Sequence, residues 1–512
     1  NRFQKKGGSD ILDLFLCSRN LVEKVSNFYV EEDNMTSDHF PIVIEMDFCP
    51  DRSPGHKVDR FNFNRANWTL FKDEIINYCN HHYNDDLDIE EMNKKLSECI
   101  KIAALRSIPK CGEKTYKTAL PRKLIFLKQD RMTALRRARK SKSPIDWINY
   151  KKINARFIRE LVEHQNKSWE HFLKKIGKNQ TSSRPFWKKI NKFRGNRGTG
   201  HARIPTLYYN EQTYESNGEK ADLFSKILAE TFQLNTTDND KNTKKFEKEV
   251  GSVVEEFIKQ ETDPFTELTF GEIREVINKS KKESSMGPDK IHNQMLKRLP
   301  GQFVELIRRL FNKCIAAKRI PEIWKQARIT MIPKKDDVKT DPNNYRPISV
   351  TSCLGKTFEK VMANRLYTFL EENKILSDAQ SGFRKQRRTA DNLFFLTQKV
   401  AEAFNRGKKA CCLFFDISKA FDKVWHNGLV YKMVKLKIPQ YLINFVIAFL
   451  NKRKFTINVE DSESEPRLIL AGTPQGAAIS PLLFSIFIND IPLKNVPNVS
   501  KSLLFADDLV TM

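Results

Sequence analysis

An α+β fold filling the C-terminal half of the chain, preceded by a basic and mainly helical connector, is the architecture this sequence predicts. Three observations carry it. From about Thr269 to Met512, short apolar runs ending in turn residues alternate with amphipathic stretches of helical spacing. Residues 101–200 hold 28 Lys and Arg against 6 Asp and Glu, so that one segment carries a net +22 of the chain's +26. The length of 512 residues, with 40% hydrophobic content, is enough for several cores and for about three or four domains at roughly 150 residues each.

The elements follow in four regions. Residues 1–48 contain ILDLFL and FPIVIEM, which look like buried strands flanking polar turns. Residues 49–217 form the connector, where Leu120, Leu124 and Leu127 show helical spacing behind Pro121, a residue suited to a first helical turn. A Gly-rich stretch from Gly195 leads into the alternating IPTLYYNEQTYES, which predicts a hairpin. Residues 218–268 read as a short helix followed by a polar loop, NTTDNDKNTKK, and residues 269–512 form the dense α+β region. There is no internal repeat.

Composition excludes some classes. The nine cysteines include no C-x-x-C pair, and Cys411 and Cys412 are adjacent within an apolar run, so neither a zinc ribbon nor a disulfide framework is expected and a reducing compartment fits best. No stretch of about 18 apolar residues occurs, and the start NRFQKKGGSD has neither an initiating Met nor a signal-peptide core. Simple membrane and secretory readings are excluded, and a cut N-terminus is expected. The basic segment favours polyanions, and its aromatics, Trp147, Trp169, Phe186 and Trp187, either stack on bases or pack helices together. The run RRARK, Arg136 to Lys140, fits a nuclear import signal, although such runs arise by chance in a chain this basic.

Three blocks in the last region carry chemistry. ACCLFFDISKAFDKVWHNGLVYKM begins as an apolar strand, Cys411 to Phe415, placing Asp416 at its end, and continues as a helix with Phe421, Val424 and Met433 at compatible spacing. At the C-terminal end, SLLF and LVTM flank Asp507 and Asp508, the pattern of a tight hairpin with both carboxylates at its tip. LAGTPQGAAISPLLFSIFINDI sets a glycine-bounded turn before Ser480 and Pro481, a cap and first-turn pair for the apolar helix that follows. Gly476 allows close backbone approach to a ligand. Carboxylates on neighbouring strand ends suit hard divalent cations, which bind through a few carboxylates plus substrate phosphates.

Together, in this order, the three blocks resemble the palm of reverse transcriptases, and FADD with GTPQGxxxSPLLF is similar to the forms found in jockey-like non-LTR retrotransposons. The resemblance extends through MGPDKIHNQMLKRL, ITMIPKK, NNYRPISVTSCLGKTFEKVMANRL and AQSGFRKQRRTADNLFFL, covering about Thr269 to Met512. It implies right-hand polymerase fingers and palm and an RNA-directed DNA polymerase acting in target-primed reverse transcription. Asp416, Asp507 and Asp508 would hold two Mg²⁺ ions, with Mn²⁺ as a substitute, and Asp416 and Asp507 would be the principal ligands. Lys334 and Arg346 match positions that grip the incoming triphosphate, with Lys335 adjoining the first. Gln475 and Gly476 match the turn lining the nascent base pair, and Arg384 lies in a block that contacts template. Phe421, five residues beyond Asp416, matches the steric gate that leaves no room for a 2′-hydroxyl, whereas Asp422 stands one residue too late to take that role. Considered alone, Phe421 reads as ordinary helix core.

The resemblance also reaches the N-terminus. SDILDLFL and TSDHFPIVIEM look like the last strands of the apurinic-endonuclease-like α/β sandwich that precedes these polymerases, with Asp13 orienting His39 beside Asp38. The family's upstream metal-binding Glu and Asn are absent, so this remnant is not expected to cut DNA by itself. The implied partners are an RNA template, a DNA primer or target and deoxynucleotides, with no membrane. Location would be nuclear in action, with cytoplasmic residence beside the element's RNA as an alternative. The competing expectation is a silent remnant that only binds nucleic acid. Because the chain stops at the FADD hairpin, it is expected to extend a primer poorly or not at all as it stands.

Overall fold

A computed structural model describes residues 61–82, 87–110, 120–176, 204–261, except 235–240, and 263–334, 338–491 and 502–512. Short pieces at 2–3, 9–10, 25–30, 42–46 and 186–187 and a few single residues are also described. It is an α+β structure in two compact units, one made of residues 1–58 and 112–202 and the other of residues 59–111 and 203–512.

In the first unit, Val25–Val30 pairs antiparallel with Ile42–Met46, which confirms a strand within FPIVIEM, though its residues are half-buried rather than core. ILDLFL, Asp13, Asp38 and His39 lie outside the described residues. The helices Arg122–Ser141 and Pro144–Ile176 form an antiparallel hairpin, turned at Lys142, whose φ is +53° and whose N–H donates to the Ala138 carbonyl at 3.0 Å. Leu124, Leu127, Arg131, Ala134, Leu135 and Ala138 recur at three- and four-residue intervals, so they fall on one face, and that face is buried. Phe157 fills the opposing surface with its ring 5.0 Å from the Arg131 guanidinium. The aromatics of this segment meet one another: Trp169 packs on Phe172 and Phe186, and Phe186 on Trp187.

Residues 49–217 do not pack as a single connector. The helices Trp68–His82 and Ile89–Ser107 belong to the second unit, where Phe71, Ile75, Leu96 and Ile100 share one core with Ile273, Phe303, Ile307 and Leu310. Glu90 accepts the Glu322 N–H at 2.9 Å across this contact, and Asn62 N donates to Pro109 O at 2.7 Å. Nothing local in their sequence marks which core they serve.

The predicted hairpin is present, Leu207–Tyr209 with Gln212–Tyr214, turned by Asn210 and Glu211 at positive φ. The helix Asn217–Thr231 follows, started by a reciprocal capping box between Ser216 and Glu219. The end of the expected loop NTTDNDKNTKK, from Lys241 on, is instead the first turn of a helix, Lys241–Lys259. Gln326–Pro333, Tyr345–Val350 and Lys454–Val459 form a sheet in which Gln326–Pro333 is central, antiparallel to the second and parallel to the third. Burial alternates with period two along these strands. Ala327, Ile329, Tyr345, Phe455 and Ile457 thus face Phe224 and Leu228 of the Asn217–Thr231 helix in a second core. A separate three-stranded antiparallel sheet, ordered Ser502–Phe505, Asp508–Thr511, Leu413–Phe415, lies within the same unit as the apolar helices Cys353–Glu372, Gln440–Leu450 and Ser480–Phe487.

Candidate active site

The hairpin at the C-terminal end pairs Phe505 with Asp508 and leaves Ala506 and Asp507 as a two-residue loop. Ala506 takes φ +57°, the left-handed geometry that reverses a chain in so few residues. On the far side of Asp508–Thr511 the strand Leu413–Phe415 adds antiparallel, with Phe415 opposite Leu509. Extending that register by one residue sets Asp416 level with Asp508, beside the loop that holds Asp507. Three carboxylates therefore stand at one end of one sheet. Asp416 and Asp508 are exposed and Asp507 is half-buried, and no side-chain hydrogen bond or ion pair within the described residues engages their carboxylates. Among the described residues no three His, Cys, Asp or Glu side chains already close on a common point. In donor chemistry, as carboxylate oxygens, the three suit a hard divalent cation.

Phe421 lies on a 3₁₀ turn, Ala420–Lys423, and not on the predicted helix, which begins only at His426. The cause is distant in sequence. Thr473 N donates to Phe421 O and Gly472 N to Val424 O, each at 2.8 Å, so the two carbonyls are claimed by another loop and cannot continue a helical ladder. Lys419, at φ +52°, starts the turn. The Phe421 ring stacks on Phe484 at 4.6 Å and meets Phe383 edge-on at 5.9 Å.

The loop 472–476 presses against that turn. At φ +85°, a Cβ on Gly472 would sit 2.5 Å from Asp422 O, so only glycine fits. Gly476, at φ +100°, lies against the Ser349 carbonyl, and Gln475 O accepts the Ser349 N–H at 3.0 Å. Gly476 thus lets this loop approach the chain's own sheet. The Gln475 side chain donates from Nε2 to both carboxylate oxygens of Asp422, at 3.0 and 3.1 Å. Ser480 begins the following helix rather than capping it, and its hydroxyl donates to Pro474 O at 2.9 Å.

Arg346 lies on the solvent face of the sheet opposite Ile332, and Lys334, half-buried, directly follows the strand Gln326–Pro333, its N–H donating to Asn344 O at 2.8 Å. Lys334 Nζ donates to Asn343 O at 3.2 Å. Lys335 is outside the described residues. Arg384 is engaged within the fold. Its guanidinium pairs bidentately with Glu371 at 2.9 and 2.6 Å, donates to Ser377 O at 3.0 Å, and is only 8% exposed, so its donors face protein.

Residues 332–512 match the family model described as reverse transcriptase (RNA-dependent DNA polymerase). This segment is a reverse-transcriptase domain. The chain is also 28% identical over 494 residues to "Probable RNA-directed DNA polymerase from transposon BS" of Drosophila melanogaster, covering 94% of this chain and 53% of that protein. To "RNA-directed DNA polymerase from mobile element jockey" of the same species it is 28% identical over 470 residues, 90% of this chain and 49% of the relative. To the jockey protein of Drosophila funebris it is 34% identical over 232 residues, 45% of this chain and 25% of that protein. The chain spans about half the length of the first two of these relatives.

The reverse-transcriptase domain contains every site residue from Lys334 to Asp508, and it contains others that sequence reasoning passed over. Asp422 is buried beneath the 472–476 loop, and burial pushes its carboxyl up to about 6 against the opposing pull of the Gln475 amide. Glu359, also buried, accepts the Ala478 N–H at 3.0 Å, and His426 engages Gly472 O at 2.8 Å. These groups share one task, holding the loop behind Phe421. No sequence signal marked them, since each partner is tens of residues away.

The Asp422 environment gives a pH prediction. Its folded-state pKa lies above the ordinary carboxylate value, so the folded chain binds this proton more tightly than the unfolded one. The resulting stabilisation is fully present below about pH 4 and is lost as pH rises through about 6. Asp422→Asn keeps an acceptor for Gln475 and removes the desolvated charge, and is expected to melt no lower than the wild type at pH 7.5 and to lack this group's pH slope. Thermal melts from pH 4 to 8 check it; a lower melting temperature at neutral pH would contradict it.

Proposed function

We propose that this chain is the RNA-directed DNA polymerase segment of a non-LTR retrotransposon, with Asp416, Asp507 and Asp508 forming a two-cation site for nucleotidyl transfer. The observation that carries the reading is the pairing of Phe415 with Leu509, which, carried one residue further, brings Asp416 level with Asp508 beside the Asp507 loop. The three-stranded sheet and its helices correspond to a palm, and the sheet bearing Lys334 and Arg346 to fingers. When bound, two Mg²⁺ or Mn²⁺ ions would supply activation of a primer 3′-hydroxyl and neutralise charge at the triphosphate. The protein's own part is placement. Asp416, at a strand end, and Asp507, in a two-residue loop, hold carboxylate charge where the reacting groups meet. Lys334 and Arg346 supply cationic donors for the triphosphate. Phe421, wedged between Phe383 and Phe484, limits the space beneath the sugar.

The substrates on this reading are an RNA template, a DNA primer and deoxynucleotides, with action at chromosomal DNA in the nucleus. Residues 1–48 are assigned to an endonuclease-like remnant. Primer extension on an RNA template, by the 512 residues and by a version carried to the length of the relatives, tests the polymerase; absence of metal-dependent extension from both sinks it. A second reading, a silent nucleic-acid-binding remnant, draws on the basic helical hairpin alone.

That hairpin gives its own prediction. Arg136, Lys140, Lys151 and Lys152 are exposed on it. Phosphate neutralisation carries no base code, so binding to RNA or DNA is expected to show little sequence preference and to weaken steeply with salt. Changing all four to Gln should reduce the slope of log affinity against log salt by about 0.9 for each duplex phosphate that is no longer neutralised. Fluorescence titrations of the whole chain at several salt concentrations measure it, and an unchanged slope would remove the hairpin from the interface.

A further inference from the structure

The loop 377–384 sends Phe383 against Phe421 and also grips the acidic hairpin. Gln380 is 1% exposed and lies against Leu504 as an isolated bridge. Its Oε1 accepts the Ala506 N–H at 3.2 Å and the Gly382 N–H at 2.7 Å, and its Nε2 donates to Ala506 O at 3.4 Å. Both backbone polar groups of the left-handed residue preceding Asp507 are thus held by one carboxamide. Flanking bonds repeat the grip: Ser381 N donates to Leu504 O at 2.9 Å, and Leu504 N to Ala379 O at 2.8 Å. The approach is close enough that a Cβ on Gly382 would lie 2.2 Å from Ala506 N. The loop is itself fixed, because Arg384 ties Ser377 O and Gln380 O to Glu371 near the end of the helix Cys353–Glu372.

We propose that Gln380 is a positioning residue for the acidic hairpin, transmitting the rigidity of the Cys353–Glu372 helix through Arg384 and its own carboxamide to the loop that carries Asp507. The inference rests on the two-cation reading. A two-residue loop with an alanine at positive φ has little intrinsic preference for that shape. Ligand-bearing backbone that is not held in place weakens cation binding, and loss of a group that orients a ligand typically costs about 10- to 100-fold in metal affinity.

The test uses Mn²⁺ as the probe, followed by its electron paramagnetic resonance signal on the whole chain bound to a primer–template. Gln380→Leu preserves bulk but withdraws every polar contact with Ala506, and is expected to weaken Mn²⁺ binding about 10- to 100-fold. Nucleic-acid affinity should be unchanged, and in a version carried to the length of the relatives raising the Mg²⁺ concentration should restore extension. Gln380→Asn, which retains the amide but falls one methylene short, should show the same weakening, as should Gly382→Ala, which pushes on Ala506 N directly. Wild-type Mn²⁺ titrations reproduced by folded Gln380→Leu or Gln380→Asn would overturn the proposal. Where variants fail to fold, hydrogen exchange of the wild type decides: a slowly exchanging Ala506 amide without metal supports the clasp, and rapid exchange overturns it. A wild-type chain that binds no Mn²⁺ removes the two-cation reading itself, whereas binding that is indifferent to Gln380 removes only this inference.

Discussion

In a version of the chain carried to the length of its relatives, Asp416→Asn and Asp507→Asn are each expected to lower RNA-templated extension of a DNA primer by about 10³-fold or more, equivalent to about 4 kcal/mol in the barrier. An amide has nearly the size of a carboxylate and would leave the strand end at Phe415 and the loop at Ala506 in place. What it lacks is charge, and a hard divalent cation takes its affinity from anionic oxygen. Asp508→Asn should cost less, because Asp508 begins a strand and is paired with Phe505, while Asp507 occupies the loop itself. Binding to nucleic acid should persist in all three, since the basic hairpin lies elsewhere in the chain. The measurement is extension at matched nucleic-acid occupancy with Mg²⁺ and with Mn²⁺. Full activity in the Asp416 or Asp507 variant would refute the proposed site.

The sequence was most legible where chemistry and local geometry coincide. Two apolar runs flanking Asp507 and Asp508 left room only for a tight hairpin, and Leu413–Phe415 delivered Asp416 to a strand end, as the observed register has it. Legibility failed where long-range contacts override local pattern. Phe421 and Val424 have helical spacing, but their carbonyls are taken by Thr473 and Gly472, so the segment becomes a 3₁₀ turn. Arg384 lies in a block that the resemblance assigns to template contact, and its pairing with Glu371 and the carbonyl of Ser377 is marked by no spacing in the sequence. Asp422 looked like a neighbour of the gate without a task, because Gln475, its partner, is 53 residues away. Spacing identifies which groups can do chemistry; it does not identify the groups that hold them still.

That distinction decides what replacing Phe421 should do. In the same lengthened version, Phe421→Val is expected to admit ribonucleotides while leaving deoxynucleotide extension within a few-fold of the wild type. The main-chain position of residue 421 does not depend on its ring, since Thr473 N holds its carbonyl and Gly472 N holds that of Val424. The ring is half-buried, one face stacked on Phe484 and its edge toward Phe383, so truncation opens space at the site without releasing the turn. Valine is β-branched and stiff, and it retains bulk near the backbone while vacating the outer part of the ring's volume. A purely steric filter of this kind is worth about 1–3 kcal/mol, so discrimination against ribonucleotides should fall by roughly 10- to 200-fold. Loss of packing on Phe484 should lower stability by about 1–3 kcal/mol. Stability and discrimination can therefore be separated: Phe484→Leu also loosens the stack but leaves the Phe421 ring present, and should cost stability with a smaller change in sugar selection. Single-nucleotide extension with paired deoxy- and ribonucleotides, alongside thermal melts, gives both readings. If the two substitutions lowered stability equally and left selection unchanged, Phe421 would be a core residue of its turn and the sugar would be sensed elsewhere.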